Sequence, residues 1–166
     1  MLQYLKSDDS GKLTIRENLV KGSWIRCERP NEEEISQLLS LGIDADIITD
    51  ALDPHEVPRL DADNERTYLI ARLPDTDDDF NDFTTPILFV IHADYIITIS
   101  RDSLGRLWQP FIDKHVVSTS SRITLLVDMI DALATQYQRR VAAINRQMRA
   151  ATGDIRTLRA RDIATL

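Results

Sequence analysis

The chain has little with which to staple itself or grip a nucleotide: among 166 residues there is one cysteine, there are five glycines, and only 6% are aromatic. Each shortage excludes a class. A lone Cys27 forbids an internal disulfide and a cysteine-rich zinc site, and it is consistent with a reducing compartment. Glycine stands only at positions 11, 22, 42, 105 and 153, so neither a P-loop nor a dinucleotide-binding glycine fingerprint is present. The longest purely apolar run, Ile87-Leu88-Phe89-Val90-Ile91, falls far short of the roughly 20 residues of a membrane-spanning helix. The N-terminus also lacks the apolar stretch of a signal peptide, so the polypeptide as given is expected to be soluble. Basic residues are in deficit, 20 against 27 acidic, and the net charge of −7 opposes phosphate backbones, arguing against nucleic acid as the main partner.

What is there reads as one α/β domain with a basic tail. The 43% apolar content suffices for a core without metal or disulfide. Residues 1–121 hold 12 basic and 23 acidic side chains, whereas residues 122–166 hold eight and four. Short alternating runs at 1–5, 13–19 and 24–27 predict three strands separated by glycine-containing turns. Pro30 followed by Asn31-Glu32-Glu33-Glu34 is a helix start, with Asn31 as cap and Ile35, Leu38 and Leu39 as core face. Gly42 stops that helix, and a second one is expected over 44–52, ending before Pro54. Strands follow at 57–60, 67–73, 84–91 and 95–100, with hairpin turns at 62–65 and 92–94, and a helix of about a dozen residues after Ser103 carries Leu104, Leu107, Trp108 and Phe111.

The strongest periodicity comes last. Leu126, Ile130, Leu133, Tyr137, Val141, Ile144 and Met148 form one apolar stripe of a helix beginning near Ser121, too long for a body of this size to cover. Thr152-Gly153-Asp154 is expected to interrupt it, after which Ile155, Leu158 and Ile163 begin a return helix that runs out uncapped at Leu166, as a chain cut within an element would. The organisation is therefore an α/β body over residues 1–120 and a long helix with a truncated return helix over 121–166.

Few residues announce chemistry. His55, His92 and His115 lack the i, i+4 spacing of paired metal ligands. The segment from Pro74 to Asp82 holds five aspartates but not the ligand spacing, glycine and terminal glutamate of an EF-hand loop, and it reads as a solvated acidic loop. Arg139, Arg140, Arg146 and Arg149 fit the flanks of a helical seam, paired with carboxylates of a neighbouring helix or chain.

The segment from Gly42 to Asp61 is more distinctive. It joins a Gly-Ile helix start, Thr49-Asp50-Ala51-Leu52 at the helix end, a turn at Pro54 and a Pro58-Arg59 strand start. In this order of features the chain resembles the cytoplasmic domain of CorA-type magnesium transporters. Trp24-Ile25 ahead of an acidic helix start, the hairpin Thr85-Pro86-Ile87-Leu88-Phe89-Val90-Ile91 with Tyr95-Ile96-Ile97-Thr98-Ile99, and the Ile130-Asp131-Ala132-Leu133 stretch are similar to that family as well, so the likeness covers nearly the whole chain.

The resemblance implies an α/β/α sandwich with a mixed sheet, working as a non-enzymatic regulatory domain. It also implies a homopentamer at the cytoplasmic face of the cell membrane, in which weakly bound Mg²⁺ between neighbouring copies keeps a pore closed. The metal candidates carried over are Asp50 and Asp131; Thr49 stands where family members commonly have a second carboxylate. The stalk carboxylate that partners Asp50, the membrane helices and the Gly-Met-Asn signature are expected beyond Leu166. The ion is open among magnesium, cobalt and zinc. The alternatives are a zinc/proton transporter of the ZntB type, a soluble enzyme with an acidic pocket around residues 75–82, and a coiled-coil interaction module.

Overall fold

The computed structural model describes residues 1–76, 82–113 and 117–163. Seven strands, β1 (Leu2–Ser7), β2 (Leu13–Arg16), β3 (Ser23–Glu28), β4 (Arg59–Ala62), β5 (Arg66–Thr76), β6 (Asp82–His92) and β7 (Tyr95–Ser100), form one sheet in the order β2-β1-β3-β7-β6-β5-β4. Every neighbouring pair is antiparallel except β3 with β7, so the sheet is mixed and its parallel pair lies at the centre. A parallel pair needs a long crossover. Here that crossover contains α1 (Glu32–Ser40), α2 (Ala45–Leu52) and the strands β4 to β6.

Strand alternation sends each face of the sheet to a different core. Ile25 and Cys27, Leu88 and Val90, and Ile97 and Ile99 pack with Leu38 of α1 and Ile48 and Ala51 of α2. On the other face Trp24, Ile87, Phe89 and Ile96 pack with Leu107, Trp108 and Phe111 of α3 (Gly105–Ile112) and with Leu125, Met129 and Leu133 of α4 (Arg122–Ile163). Helices thus cover both faces, and the architecture is the expected α/β/α sandwich. Trp24 anchors the second core: it meets Trp108 and Phe111 edge-on at 5.0 and 5.7 Å, and its indole N–H donates to the Thr98 hydroxyl at 2.9 Å.

Local signals act as the sequence implies. Asn31 accepts from the Glu34 amide at 2.8 Å while the Glu34 carboxylate accepts from the Asn31 amide at 3.0 Å, a reciprocal capping box. After Leu41 the chain reverses at Gly42, whose φ of +78° a side chain would strain, with the Arg66 guanidinium packed over it and donating to the Leu41 carbonyl at 2.8 Å.

Several boundaries differ from expectation. β4 begins at Arg59 rather than Val57, because Pro58 has no N–H to offer the ladder and pairing starts at Arg59 opposite Ile70. β5 and β6 run on to Thr76 and back from Asp82, so the ends of the expected acidic loop are strand; residues 77–81 of it lie outside the described residues. α3 is eight residues long rather than a dozen, with Leu104 as its N-cap and Asp113 as its C-cap, and His115 lies outside the described residues. The largest correction concerns α4. It does not break at Thr152-Gly153-Asp154 but runs as one helix of 42 residues, about 63 Å long, so no return helix begins before Ile163. One glycine costs a helix only about 1 kcal/mol, and here it follows Ala150 and Ala151 and precedes Arg156, Leu158 and Arg159, all good helix formers.

Candidate functional site

Asp50 sits in the last turn of α2, the helix that Asp44 caps by accepting from the Asp46 amide at 2.8 Å. Beyond Asp53 a turn holds itself closed, with the Asp53 carboxylate accepting from the His55 amide at 2.9 Å. β4 then brings Arg59 back beside the helix end. The Arg59 guanidinium reaches three carboxylates at once, donating to Asp61 through Nε at 2.6 Å and through its two terminal nitrogens to Asp50 and Glu56. Those carboxylates, Asp61 foremost, hold the Arg59 pKa above its ordinary value, so Arg59 is a fixed cation. Three negative charges around one positive charge leave the cluster acidic.

The cluster is open to solvent. The Asp50 side chain is 36% exposed and that of Arg59 28%. Arg59 takes Oδ2 of Asp50, and Oδ1 makes no hydrogen bond among the described residues. A second arginine steadies the segment from beneath. Arg72 donates to the carbonyls of Pro54, at 2.9 Å, and of Glu56, and to the hydroxyl and carbonyl of Thr84 on β6, pinning the turn after α2 to the sheet. The carbonyl of Arg72 in turn accepts from the Tyr137 hydroxyl of α4 at 3.0 Å. One residue of β5 therefore ties the two helical layers together.

Asp131 is elsewhere. It lies exposed on α4, on the opposite side of the sheet from α2, so one copy of the chain does not bring Asp50 and Asp131 together. Among the described residues, no three His, Cys, Asp or Glu side chains are placed to hold a metal ion. A Mg²⁺ site takes one or two carboxylates and keeps several waters. Asp50 and Asp131 each offer one such carboxylate, on opposite sides of the sheet. Thr49 turns its hydroxyl back onto the Ala45 carbonyl at 2.9 Å and adds no charge.

Reading the chain as a line misses Arg59 and Arg72. Pro58-Arg59 signals only a strand start; that Asp50, Glu56 and Asp61 converge on Arg59 depends on how the turn after α2 brings β4 back beside the helix end. The spacing of acids around position 59 is the one hint the sequence offers.

Comparisons with known proteins bear on the whole assembly. The family described as CorA-like Mg²⁺ transporter protein matches residues 21–164. Among solved structures, the soluble domain of CorA from Methanocaldococcus jannaschii superposes with a TM-score of 0.76 at 21% identity, over 90% of this chain and 62% of that one. The complete CorA magnesium transporter of the same organism superposes at 0.72 and 21% identity, again over 90% of this chain but 49% of its own. The cytoplasmic domain of ZntB from Vibrio parahaemolyticus RIMD 2210633 gives 0.66 at 15% identity, over 87% and 62%. No curated protein matches. The chain spans less than two thirds of the length of each of these structures, and among the described residues no helix is long and apolar enough to cross a membrane. The structural likenesses show the fold. The family match, which takes in both helical layers and the Asp50 segment, shows descent: this chain belongs to the CorA-like Mg²⁺ transporter family, as a non-enzymatic module with the fold of its soluble domain.

Proposed function

We propose that the chain is the cytoplasmic, Mg²⁺-sensing part of a homopentameric magnesium transporter, and that Asp50 contributes a carboxylate to a regulatory site between copies. The observation that supports this best is the Asp50 cluster: a partly exposed carboxylate at a helix end, in acidic surroundings, with one oxygen engaged by Arg59 and the other open. Family membership and the likeness to the CorA soluble domain supply the context. Asp131, exposed on the opposite layer, is the second candidate carboxylate, for a contact separate from that of Asp50.

The chemistry suits sensing. A site of one or two carboxylates and water binds Mg²⁺ weakly, so its occupancy follows the ion's concentration. Like-charged carboxylates brought together between copies repel when the site is empty and are neutralised when it is filled. The ion thereby favours the assembled, closed arrangement by binding it better than the open one. Arg59 sets a competition, since a cation that draws on both oxygens of Asp50 has to displace the guanidinium.

In the full-length transporter, Mg²⁺ raised to tens of millimolar is expected to increase the melting temperature and self-association, and Asp50→Ala to abolish both responses. Unchanged behaviour of wild type and variant alike would remove the sensing reading. A second reading, zinc transport, has the ZntB-like fold in its favour. Zinc-stimulated flux without magnesium flux decides for it, and cobalt flux is measured in the same assay.

A further inference from the structure

On the sheet face opposite Asp50, a cavity of about 650 Å³ opens between the start of α3, the middle of α4 and the outer end of β5. Four arginines line it: Arg29 from the loop after β3, Arg106 from the first turn of α3, and Arg139 and Arg140 from α4. Among the described residues, Asp75 of β5 is the one acid in its wall, 4.0 Å from Arg106. Among the described residues of this wall arginines outnumber acids, in a chain of net charge −7, and they come from three separate parts of the sequence. The volume falls within the range of small-ligand sites. Among the described residues, the guanidinium groups of Arg29 and Arg139 form no ion pair that would explain their convergence.

The backbone adds to the same field. α3 begins in the cavity wall at Leu104, which supplies no side-chain cap, and the amides of Gly105 and Arg106 donate to no other described residue. The positive end of a helix dipole is thus presented with its N–H groups uncovered. Gly105 itself has no internal reason to be glycine. Its φ is not positive, and a Cβ there would meet only the Ser103 hydroxyl, at 4.0 Å. With no side chain at this position, the space beside the backbone is open.

We propose that this cavity binds a small phosphate-bearing anion of the polyphosphate class. Forked guanidinium groups pair with phosphate oxygens two bonds at a time, and the uncapped amides donate to another oxygen, so an anion with several phosphoryl oxygens engages both. The site is independent of the Asp50 reading, since it lies in the other layer and involves none of the same residues.

The test is calorimetric titration of the protein with inorganic tripolyphosphate, with EDTA present so that no divalent cation takes part. Saturable one-to-one binding is expected. Arg139→Gln with Arg140→Gln should weaken it by about tenfold or more, the loss expected for charge-assisted hydrogen bonds. Arg146→Gln with Arg149→Gln makes the same change of charge on the same helix outside the cavity, and should weaken it by less than about twofold. Gly105→Leu leaves the charge untouched and has room to fold, and it should also lower affinity by covering the amides. Equal weakening by the two arginine pairs would mean diffuse attraction and overturn the proposal. So would wild-type-like affinity in Gly105→Leu, absence of saturable binding, or binding only to vesicles of anionic lipid.

Discussion

Thr98 and Trp24 form a polar contact inside the core, an indole N–H to a hydroxyl with both residues almost wholly buried. Thr98→Val keeps the shape and removes the acceptor, leaving the N–H buried without a partner. That costs about 1–3 kcal/mol, read as a lower urea midpoint at an unchanged slope. Two other buried groups set the alkaline limit. Burial, with Glu34 nearby, pushes the Cys27 thiol from 9.0 up to about 12, and burial together with the Asp63 carboxylate that accepts the Tyr68 hydroxyl at 2.7 Å pushes that phenol from 10.0 up to about 12. The folded state holds these protons more tightly than the unfolded one. Their contribution is therefore complete below about pH 9 and is lost as pH rises to about 12. The urea midpoint should fall across that window, and less steeply in Tyr68→Phe. Cys27 could be read in the sequence only as solitary; its burial comes from its neighbours on β1 and β7.

Helix ends were legible because their chemistry is local. The four residues from Asn31 to Glu34 contain the whole capping box, and Asn31→Ala should cost about 1 kcal/mol by removing the acceptor for the Glu34 amide, measured by chemical denaturation. Strand positions were legible from alternation to within a few residues, and Pro58 accounts for where β4 starts. The end of α4 was not. A glycine flanked by Thr152 and Asp154 looks like a stop signal, but a stop requires the chain to gain something by turning, and the alanine- and arginine-rich flanks favour carrying on. α4 also keeps Ile123, Val127, Val141 and Met148 exposed along its length, more apolar surface than the sheet beneath it covers.

At the level of the molecule, the two layers carry different charge and different candidate sites. One has the acidic Asp50 cluster, the other the arginine-lined cavity, and Arg72 with Tyr137 links them through the sheet. A change at either site therefore has a short path of hydrogen bonds to the other layer. Element types and their order could be worked out from the linear chain, because periodicity and capping depend on residues a few positions apart; the sandwich with helices on both faces followed only from the likeness to a known family. The Asp50 position was legible only through its likeness to a known family. What folding alone decided was which distant side chains meet: Arg59 with three acids, Arg72 with the turn after α2, and four arginines around one cavity. Those meetings depend on β3 and β7 lying side by side and on where each layer settles, and no spacing along the backbone encodes a distance across a sheet.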